Sequence, residues 1–245
     1  MEITNEEKLD AAQKYLDNDE NEKVLAICTQ VISEEPNNAE AYYLRAEAYY
    51  NLQNYPKAIT NYNKVLRLDA ANYEMVYGYR GDAYFHSDKY KQALADYTKA
   101  IRLGYVSEII FANRGLIYGK YFQEYEKAVA DFNRAIKLEP DKVENYNNRA
   151  LAYAFLGQND KTLEDLNTAI KINPKFEEAY ANRGNVYAGV FKNYKKAISD
   201  FTKAIKLNPT FAPLYVWRGN CYEELGELEK ARADFRTAES LGYEK

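Results

Sequence analysis

One tyrosine recurs along the whole chain at intervals of 34 or 35 residues. Its copies are Tyr15, Tyr49, Tyr84, Tyr118, Tyr153, Tyr187 and Tyr222. An arginine keeps nearly the same interval, as Arg45, Arg80, Arg114, Arg149, Arg183 and Arg218. A fixed period in this range indicates stacked copies of one small unit, each of which buries its apolar side against its neighbours. The chain is therefore predicted to be a repeat protein without a single central core.

Each repeat contains two amphipathic segments with the spacing of a helix. In the stretch from 177 to 211, Tyr180, Gly184 and Tyr187 share one helical face. The second segment carries apolar residues at helical spacing up to Ile205. Pro209 then ends it, because proline cannot continue a helix. Each repeat is therefore predicted to be a hairpin of two helices.

The pattern within a repeat is a small residue at position 8, Tyr at 11, Ala at 20, an aromatic at 24, Ala at 27 and Pro at 32. It resembles the tetratricopeptide repeat, and seven units fit in register: 5–38, 39–72, 74–107, 108–142, 143–176, 177–211 and 212–245. The resemblance implies an all-α fold, a right-handed superhelical α-solenoid of about fourteen antiparallel helices. It also implies one solenoid over residues 1–245.

Two local features give further predictions. A glycine at position 8, such as Gly184, is costly inside a helix, and we expect it where another backbone approaches so that two helices cross tightly. The fourth and sixth repeats each carry one extra residue between their helices, in KYFQEY and GVFKNY. The extra residue is predicted to lengthen the turn and to leave both helix faces undisturbed.

Charge and composition exclude several partner classes. The net charge is −4 and no basic block is present, which argues against nucleic acid or an anionic membrane as partner. No apolar run approaches the length of a membrane span, and the first 20 residues are too charged for a signal peptide. The two cysteines, Cys28 and Cys221, lie in the first and last repeats, which fits a reducing compartment. We therefore predict a cytoplasmic protein.

The sequence offers little that could carry catalysis. His86 is the one histidine, and no phosphate loop, zinc-ligand spacing or nucleophile motif is present. We predict no enzymatic activity, no cofactor and no metal. In five repeats an aspartate follows the periodic arginine by 16 or 17 residues, as Asp96, Asp131, Asp165, Asp200 and Asp234. The favoured interpretation is a ladder of Arg–Asp pairs between helices, and the alternative is a ligand-binding role for the arginines.

The resemblance places the binding groove on the first helices, with positions 2, 5, 6, 9, 12 and 13 pointing into it. Asparagines recur there, as Asn113, Asn148 and Asn182 at position 6 and Asn147, Asn185 and Asn220 at positions 5 and 9. An amide offers a donor and an acceptor to one peptide unit. The row resembles the asparagine ladders of superhelical tetratricopeptide domains. The alternative is that asparagine merely tolerates a wet helix face.

The N-terminal half of this groove is acidic. Its inward positions hold Glu6, Asp10, Asp17, Glu40, Glu47 and Asp82, without a basic residue. Aromatic residues are interleaved, as Tyr43, Tyr50, Tyr79 and Phe85, and Trp217 occupies position 6 of the last repeat. Exposed aromatics beside charge are typical of interface anchors, so we predict a protein or peptide partner that is basic or neutral with apolar anchors. The alternative is a solvated acidic face.

An acidic chaperone tail is not expected as the ligand. In this family the clamp for such tails needs Lys and Asn at set positions of one repeat, Asn in the next repeat, and Lys and Arg in the third. No three consecutive repeats of this chain supply that set. Repeat one has Leu9 and Gln13 at the two positions where the clamp needs Lys and Asn.

Three functional hypotheses stay open. The first is a non-catalytic module that binds a partner peptide or segment in the concave groove. The second is an assembly scaffold that acts through its convex face or open ends, and the third is a regulatory segment of a larger protein. Glu239 stands where the other six repeats have Ile or Leu, which suggests that this end faces water and leaves end-to-end self-association as a possibility.

Overall fold

The computed structural model describes residues 3–243, which contain fourteen α-helices and no strand. The first helices of the seven repeats are α1 (Asn5–Asp17), α3 (Ala39–Asn51), α5 (Met75–Phe85), α7 (Glu108–Leu116), α9 (Val143–Phe155), α11 (Glu177–Gly189) and α13 (Ala212–Glu224). The second helices are α2 (Asn21–Glu34), α4 (Tyr55–Asp69), α6 (Tyr90–Arg102), α8 (Tyr125–Leu138), α10 (Asn159–Ile172), α12 (Tyr194–Leu207) and α14 (Leu228–Ser240). Every predicted repeat therefore holds two helices, and the all-α prediction is confirmed.

The chain divides into two compact units, Met1–Ile117 and Tyr118–Lys245. The first unit contains α1 to α7, and the second contains α8 to α14. Within each unit, the two helices of a complete repeat pack against each other and against the next repeat, and successive first helices also touch. The boundary lies in the fourth repeat. The single solenoid over 1–245 and its right-handed superhelical sense stay predictions.

The extra residue of the fourth repeat lengthens the connection between its two helices, where the N–H of Glu124 donates to the carbonyl of Tyr118 at 2.8 Å over a span of six residues. Part of this connection is a π-helical turn, Ile117–Tyr121, which continues the first helix. The sixth repeat has the same span without a π-helical turn, so there the added length lies in the turn alone. In that turn the N–H of Asn193 donates to the carbonyl of Tyr187 at 2.8 Å, a span of six residues. The corresponding span in the second repeat, from Asn54 to Tyr49, is five residues.

The glycines at position 8 make room for an aromatic ring, not for a backbone. A Cβ on Gly184 would lie 2.7 Å from the ring of Phe201, the position-24 aromatic of the same repeat. Gly81 meets the ring of Tyr97 at the same distance. The predicted need for a small residue is confirmed, but its predicted cause is wrong. The second helix inserts its aromatic ring into the gap that the glycine leaves in the first helix.

The periodic arginines of four repeats each join three helices by a bidentate pair and one further hydrogen bond. In the sixth repeat, Arg183 donates from Nε and Nη2 to the two carboxylate oxygens of Asp200 at 2.8 and 2.7 Å. Its Nη1 donates to Asn167 Oδ1 at 2.6 Å, on the second helix of the preceding repeat. The same bidentate geometry is found in the pairs Arg80–Asp96, Arg149–Asp165 and Arg218–Asp234.

The predicted ladder is thus confirmed for these four pairs, and the pair Arg114–Asp131 stays a prediction. The third contact was not predicted; it goes to an Asn or Thr that lies 16 or 17 residues before each of these arginines. A bidentate pair with an added donor contact fixes the crossing of neighbouring repeats and thereby the spacing of their first helices. In these four repeats the guanidinium groups are engaged inside the protein, so the alternative role in ligand binding is not favoured.

Candidate functional site

The first unit has a cavity of about 370 Å³, which we call the acidic cavity. It is formed by the first helices α3, α5 and α7, with one tyrosine from α4. Its lining residues are Glu47, Tyr50, Asn51, Tyr62, Tyr79, Asp82, His86, Ile109 and Asn113. The predicted groove residues Glu47, Tyr79, Asp82 and Asn113 therefore share one site.

Tyrosines of the second helices hold the two carboxylates of the acidic cavity. Tyr62 donates its hydroxyl to Oε1 of Glu47. Tyr97 donates to Oδ1 of Asp82 at 2.7 Å, and Asn113 Nδ2 donates to the same oxygen at 3.0 Å. The other oxygens, Oε2 of Glu47 and Oδ2 of Asp82, accept no hydrogen bond from residues 3–243. Each carboxylate therefore keeps one oxygen available to a further donor.

Burial makes both carboxylates easier to protonate. Loss of solvent raises the pKa of Glu47 to about 7; the hydrogen bond from Tyr62 works against this rise, and the negative charge of Asp82 adds to it. The pKa of Asp82 is also raised by burial, against the hydrogen bonds from Tyr97 and Asn113. Neither Lys nor Arg lines the cavity, so no fixed positive charge offsets the burial of these groups.

Aromatic rings form the walls of the acidic cavity. The ring of Tyr79 lies 6.2 Å from that of Tyr43 and 5.9 Å from that of Tyr105. His86 stacks on Tyr55 with ring centroids 5.3 Å apart. The predicted anchor Tyr43 is thus half-buried and supports the wall from behind. These contacts fix the orientation of rings that a ligand in the cavity would meet.

The predicted acidic face divides into two kinds of carboxylate. Glu6, Asp10, Asp17 and Glu40 are exposed and do not line the cavity. Only Glu47 and Asp82 are withdrawn from solvent. The solvated-face interpretation therefore describes the four exposed residues, while Glu47 and Asp82 line the acidic cavity.

The second unit has a cavity of about 290 Å³, which we call the apolar cavity. Its lining residues come from α9, α10, α11 and the residue after α11: Ala150, Leu151, Ala154, Phe155, Thr162, Leu166, Asn182, Asn185, Val186 and Val190. Phe155 is 69% exposed, and its ring stacks on Tyr125 at 4.7 Å and 6°. Leu151 and Val190 are exposed as well. Apolar side chains thus stay accessible on this face.

A further cavity of about 280 Å³ lies beside it, and we call it the tryptophan cavity. Its lining includes Trp217 and Asn220 from α13, and Asn185 lines both this cavity and the apolar cavity. The ring of Trp217 packs between Phe201 at 6.0 Å and Phe211 at 6.1 Å. The predicted residues Asn185, Asn220 and Trp217 are therefore brought together.

The predicted asparagines do not behave alike. Asn147 is buried, and its Oδ1 accepts a hydrogen bond from Asn182 Nδ2 at 2.8 Å. Asn182 thus spends a donor on the preceding first helix, as Asn113 does on Asp82. Within residues 3–243, the side chains of Asn148, Asn185 and Asn220 make no hydrogen bond, and the last two are exposed. Some of the amides therefore join repeats, and others keep both donor and acceptor.

Residues 3–243 show neither a metal centre nor a membrane span. No group of three His, Cys, Asp or Glu side chains is arranged to hold a metal ion. In the same span, no helix combines the length and the apolar character that crossing a bilayer requires.

Comparison with protein-family models gives matches through most of the chain. Models described as tetratricopeptide repeat match residues 39–72, 76–103, 177–211 and 201–233. A model described as TPR repeat matches residues 123–157 and 154–190. Together these matches cover more than half of the chain. No curated protein matches the sequence.

Several solved structures share the fold. A tetratricopeptide repeat protein from Parabacteroides merdae is 23% identical with a TM-score of 0.69, and the match covers 98% of this chain and 94% of that one. The C-terminal part of a TPR repeat-containing protein from Cytophaga hutchinsonii is 16% identical with a TM-score of 0.74, and 95% of each chain is covered. YrrB, described as a TPR protein with an unusual peptide-binding site, is 25% identical with a TM-score of 0.67. That match covers 76% of this chain and 95% of YrrB.

Proposed function

Because the chain belongs to the tetratricopeptide repeat family, generally a non-catalytic interaction fold, we propose that it binds a segment of a partner protein along its first helices. The observation that carries this proposal is the pair of adjoining cavities in the second unit. Both are lined mainly by first helices. Both contain exposed side chains, some apolar and some able to form hydrogen bonds. Such a mixture is typical of interface cores with polar groups placed between anchors.

The chemistry of the two cavities suggests how a segment is held. An apolar side chain of the partner fits the apolar cavity, where Leu151, Phe155 and Val190 lose solvent on binding. The amide of Asn185 stands between the two cavities and can pair with one peptide unit of the segment. In the tryptophan cavity, the ring of Trp217 offers a large rigid surface of the type found in binding hot spots.

The partner is proposed to be a neutral or basic protein segment with apolar anchors, not an acidic tail and not nucleic acid. The description of YrrB as a peptide-binding TPR protein supports a peptide ligand. Both cysteines are free and buried, and burial raises the pKa of Cys28 to about 12 and that of Cys221 to about 11. Unreactive thiols of this kind fit the predicted cytoplasmic location. End-to-end self-association near the exposed Glu239 stays a prediction.

The single tryptophan of the chain gives a direct test. Peptides are selected against the intact chain by phage display, and their binding is followed by the fluorescence of Trp217 and by anisotropy of a labelled peptide. The variant Phe155→Gln should weaken an apolar-anchored peptide about tenfold, because it removes an exposed anchor surface.

The matched control is Leu138→Gln, which removes an apolar side chain that is 47% exposed at the end of a second helix. It should leave the affinity unchanged. If the control weakens binding and Phe155→Gln does not, the partner uses the second-helix face. The scaffold hypothesis would then replace this proposal.

A further inference from the structure

We propose that the acidic cavity of the first unit takes one cationic side chain, a lysine or an arginine of the bound partner segment. This inference rests on the proposed function, since it names the chemistry that one part of the segment must have. The juxtaposition that carries it is a cavity with two half-buried carboxylates, aromatic walls and no positive charge of its own.

The hydrogen bonds of the cavity leave a defined place for a donor. Glu47 and Asp82 each use one oxygen for the tyrosine beneath, and their remaining oxygens accept nothing from residues 3–243. They lie on successive first helices, α3 and α5, so a single guanidinium with five N–H donors, or an ammonium with three, can address both. A charge-assisted hydrogen bond of this kind is about twice as strong as one between neutral groups.

The cavity has the shape and walls that a cationic side chain requires. Its rim is formed by the exposed residues Asn51, His86 and Ile109, and the carboxylates lie deeper. Its volume of about 370 Å³ lies at the lower end of the range of roughly 300–1,000 Å³ for ligand sites. The rings of Tyr50 and Tyr79 line the cavity, and aromatic rings attract a cation that lies over their faces. The apolar stem of lysine or arginine finds contact with Ile109 and with the ring carbons.

The charges around Glu47 set the pH dependence of this site. The titratable groups near it are Tyr43 and Tyr50 of α3, Tyr62 of α4, Asp82 and Tyr79 of α5, His86 after α5, Tyr97 of α6 and Tyr105. None of these supplies a fixed positive charge. Because the pKa of Glu47 is raised to about 7, a bound cation must displace its proton. Affinity should therefore rise with pH through about 7 and level off above it.

The test uses blocked pentapeptides that differ in one side chain. Ac-Gly-Gly-X-Gly-Gly-amide is titrated into the uniformly ¹⁵N-labelled chain, with X as arginine, lysine, citrulline or norleucine. We expect the arginine and lysine peptides to shift the amide signals around positions 47, 50, 79 and 82, and citrulline and norleucine to leave them in place. Citrulline is the sharpest comparison, because it keeps the size and planarity of arginine and lacks its charge.

Two double variants separate the cavity from the general charge of the chain. Glu47→Gln with Asp82→Asn should weaken the arginine peptide about tenfold or more, since both charge-assisted contacts are lost. Asp10→Asn with Glu40→Gln removes the same charge at exposed positions and should keep the affinity. In the wild-type chain, the affinity for the arginine peptide should rise between about pH 5.5 and 7.

The inference is overturned if citrulline binds as well as arginine, if both double variants lose binding equally, or if the affinity is flat with pH. The norleucine peptide tests the proposed function separately from this inference. Norleucine shifts around Phe155 and Val190 support an apolar-anchored segment whether or not the acidic cavity responds. If the norleucine peptide causes no shifts there while the arginine peptide still binds the acidic cavity, the result counts against the proposed function only.

Discussion

The first helices of the two units have the same repeat pattern but expose different side chains. In the second and third repeats, position 9 is acidic and position 24 is tyrosine, as in the pairs Glu47–Tyr62 and Asp82–Tyr97. In the fifth repeat the same positions hold Leu151 and Leu166, which both line the apolar cavity. A carboxylate can lie half-buried on the first unit's face because the core residue beneath it carries a hydroxyl.

This comparison shows how a repeat fold changes its surface chemistry without changing its backbone. The position-24 residue is a core residue in either case, with Tyr62, Tyr97, Leu166 and Phe201 all fully buried. Whether its tip is polar decides whether the face above can hold a charge, since a buried carboxylate needs a donor. The choice between tyrosine and a purely apolar residue in the core thus controls the ligand chemistry one layer above.

The largest expected effect concerns the space beside the position-8 glycine, which receives the aromatic ring of the position-24 residue in both units. Gly184→Leu should lower the free energy of unfolding by about 1–3 kcal/mol, because its Cβ alone would lie 2.7 Å from the ring of Phe201. Urea unfolding followed by circular dichroism measures it. Gly189→Ala is the control, since no atom lies within 4 Å of the added Cβ. Equal stability of Gly184→Leu and wild type would mean that the helix pairing in this repeat is wrong.

The next effect separates the two units directly. Tyr97→Phe should cost about 1–2 kcal/mol at neutral pH, because the half-buried Asp82 loses its hydroxyl donor. In an Asp82→Asn background the same change should cost clearly less, because no charge is left to support. Thermal unfolding of the four chains of this double-mutant cycle gives the coupling. A coupling near zero would show that the hydroxyl does not support the carboxylate.

A smaller effect tests the burial of Glu47. Its folded-state pKa of about 7 lies above the ordinary value of 4.5, so the folded chain holds the proton more tightly than the unfolded chain. Stability contributed by this group is therefore present below pH 4.5 and is lost as the pH rises to about 7. Glu47→Gln should be more stable than wild type by about 1 kcal/mol at pH 8, and this gain should vanish near pH 4.5. Glu40→Gln, exposed on the same helix, should show no such gain.

The smallest effect concerns the turns between the paired helices, which are alike in both units. Each contains one residue with positive φ, which is glycine in the fifth and seventh repeats and Lys192, with φ 51°, in the sixth. Gly157→Ala should cost about 1 kcal/mol, since φ is +70° there. Lys192→Gly should gain about 0.5 kcal/mol, because relief of the left-handed strain exceeds the added chain entropy. Thermal melts that reversed these two signs would contradict the assignment of the turns.

Much of the fold was accessible from the sequence because the repeat multiplies every weak local signal. The helix hairpins, the Arg–Asp pairs and the need for a small residue at Gly184 all follow from periodic positions. The π-helical turn at Ile117–Tyr121 was missed because periodicity indicates that a residue is extra and not where the backbone absorbs it.

The site was predicted less completely, since exposure depends on neighbours in space. Spacing alone placed Glu6 and Glu47 in one acidic face, and only the structure separates the exposed residue from the half-buried one. A signal did exist. Tyrosine occupies position 24 in the second and third repeats, where position 9 is Glu or Asp. Nothing comparable marks Asn147, which is buried and accepts a hydrogen bond from Asn182 in the next repeat.

The most direct test of the central claim is a chemical-shift map of one display-selected peptide on the ¹⁵N-labelled chain. The perturbed amides should concentrate on the first helices, with α9, α11 and α13 affected by an apolar anchor and α3 and α5 by a basic one. Perturbations concentrated on the second helices α8, α10, α12 and α14, with the first helices unchanged, would contradict it.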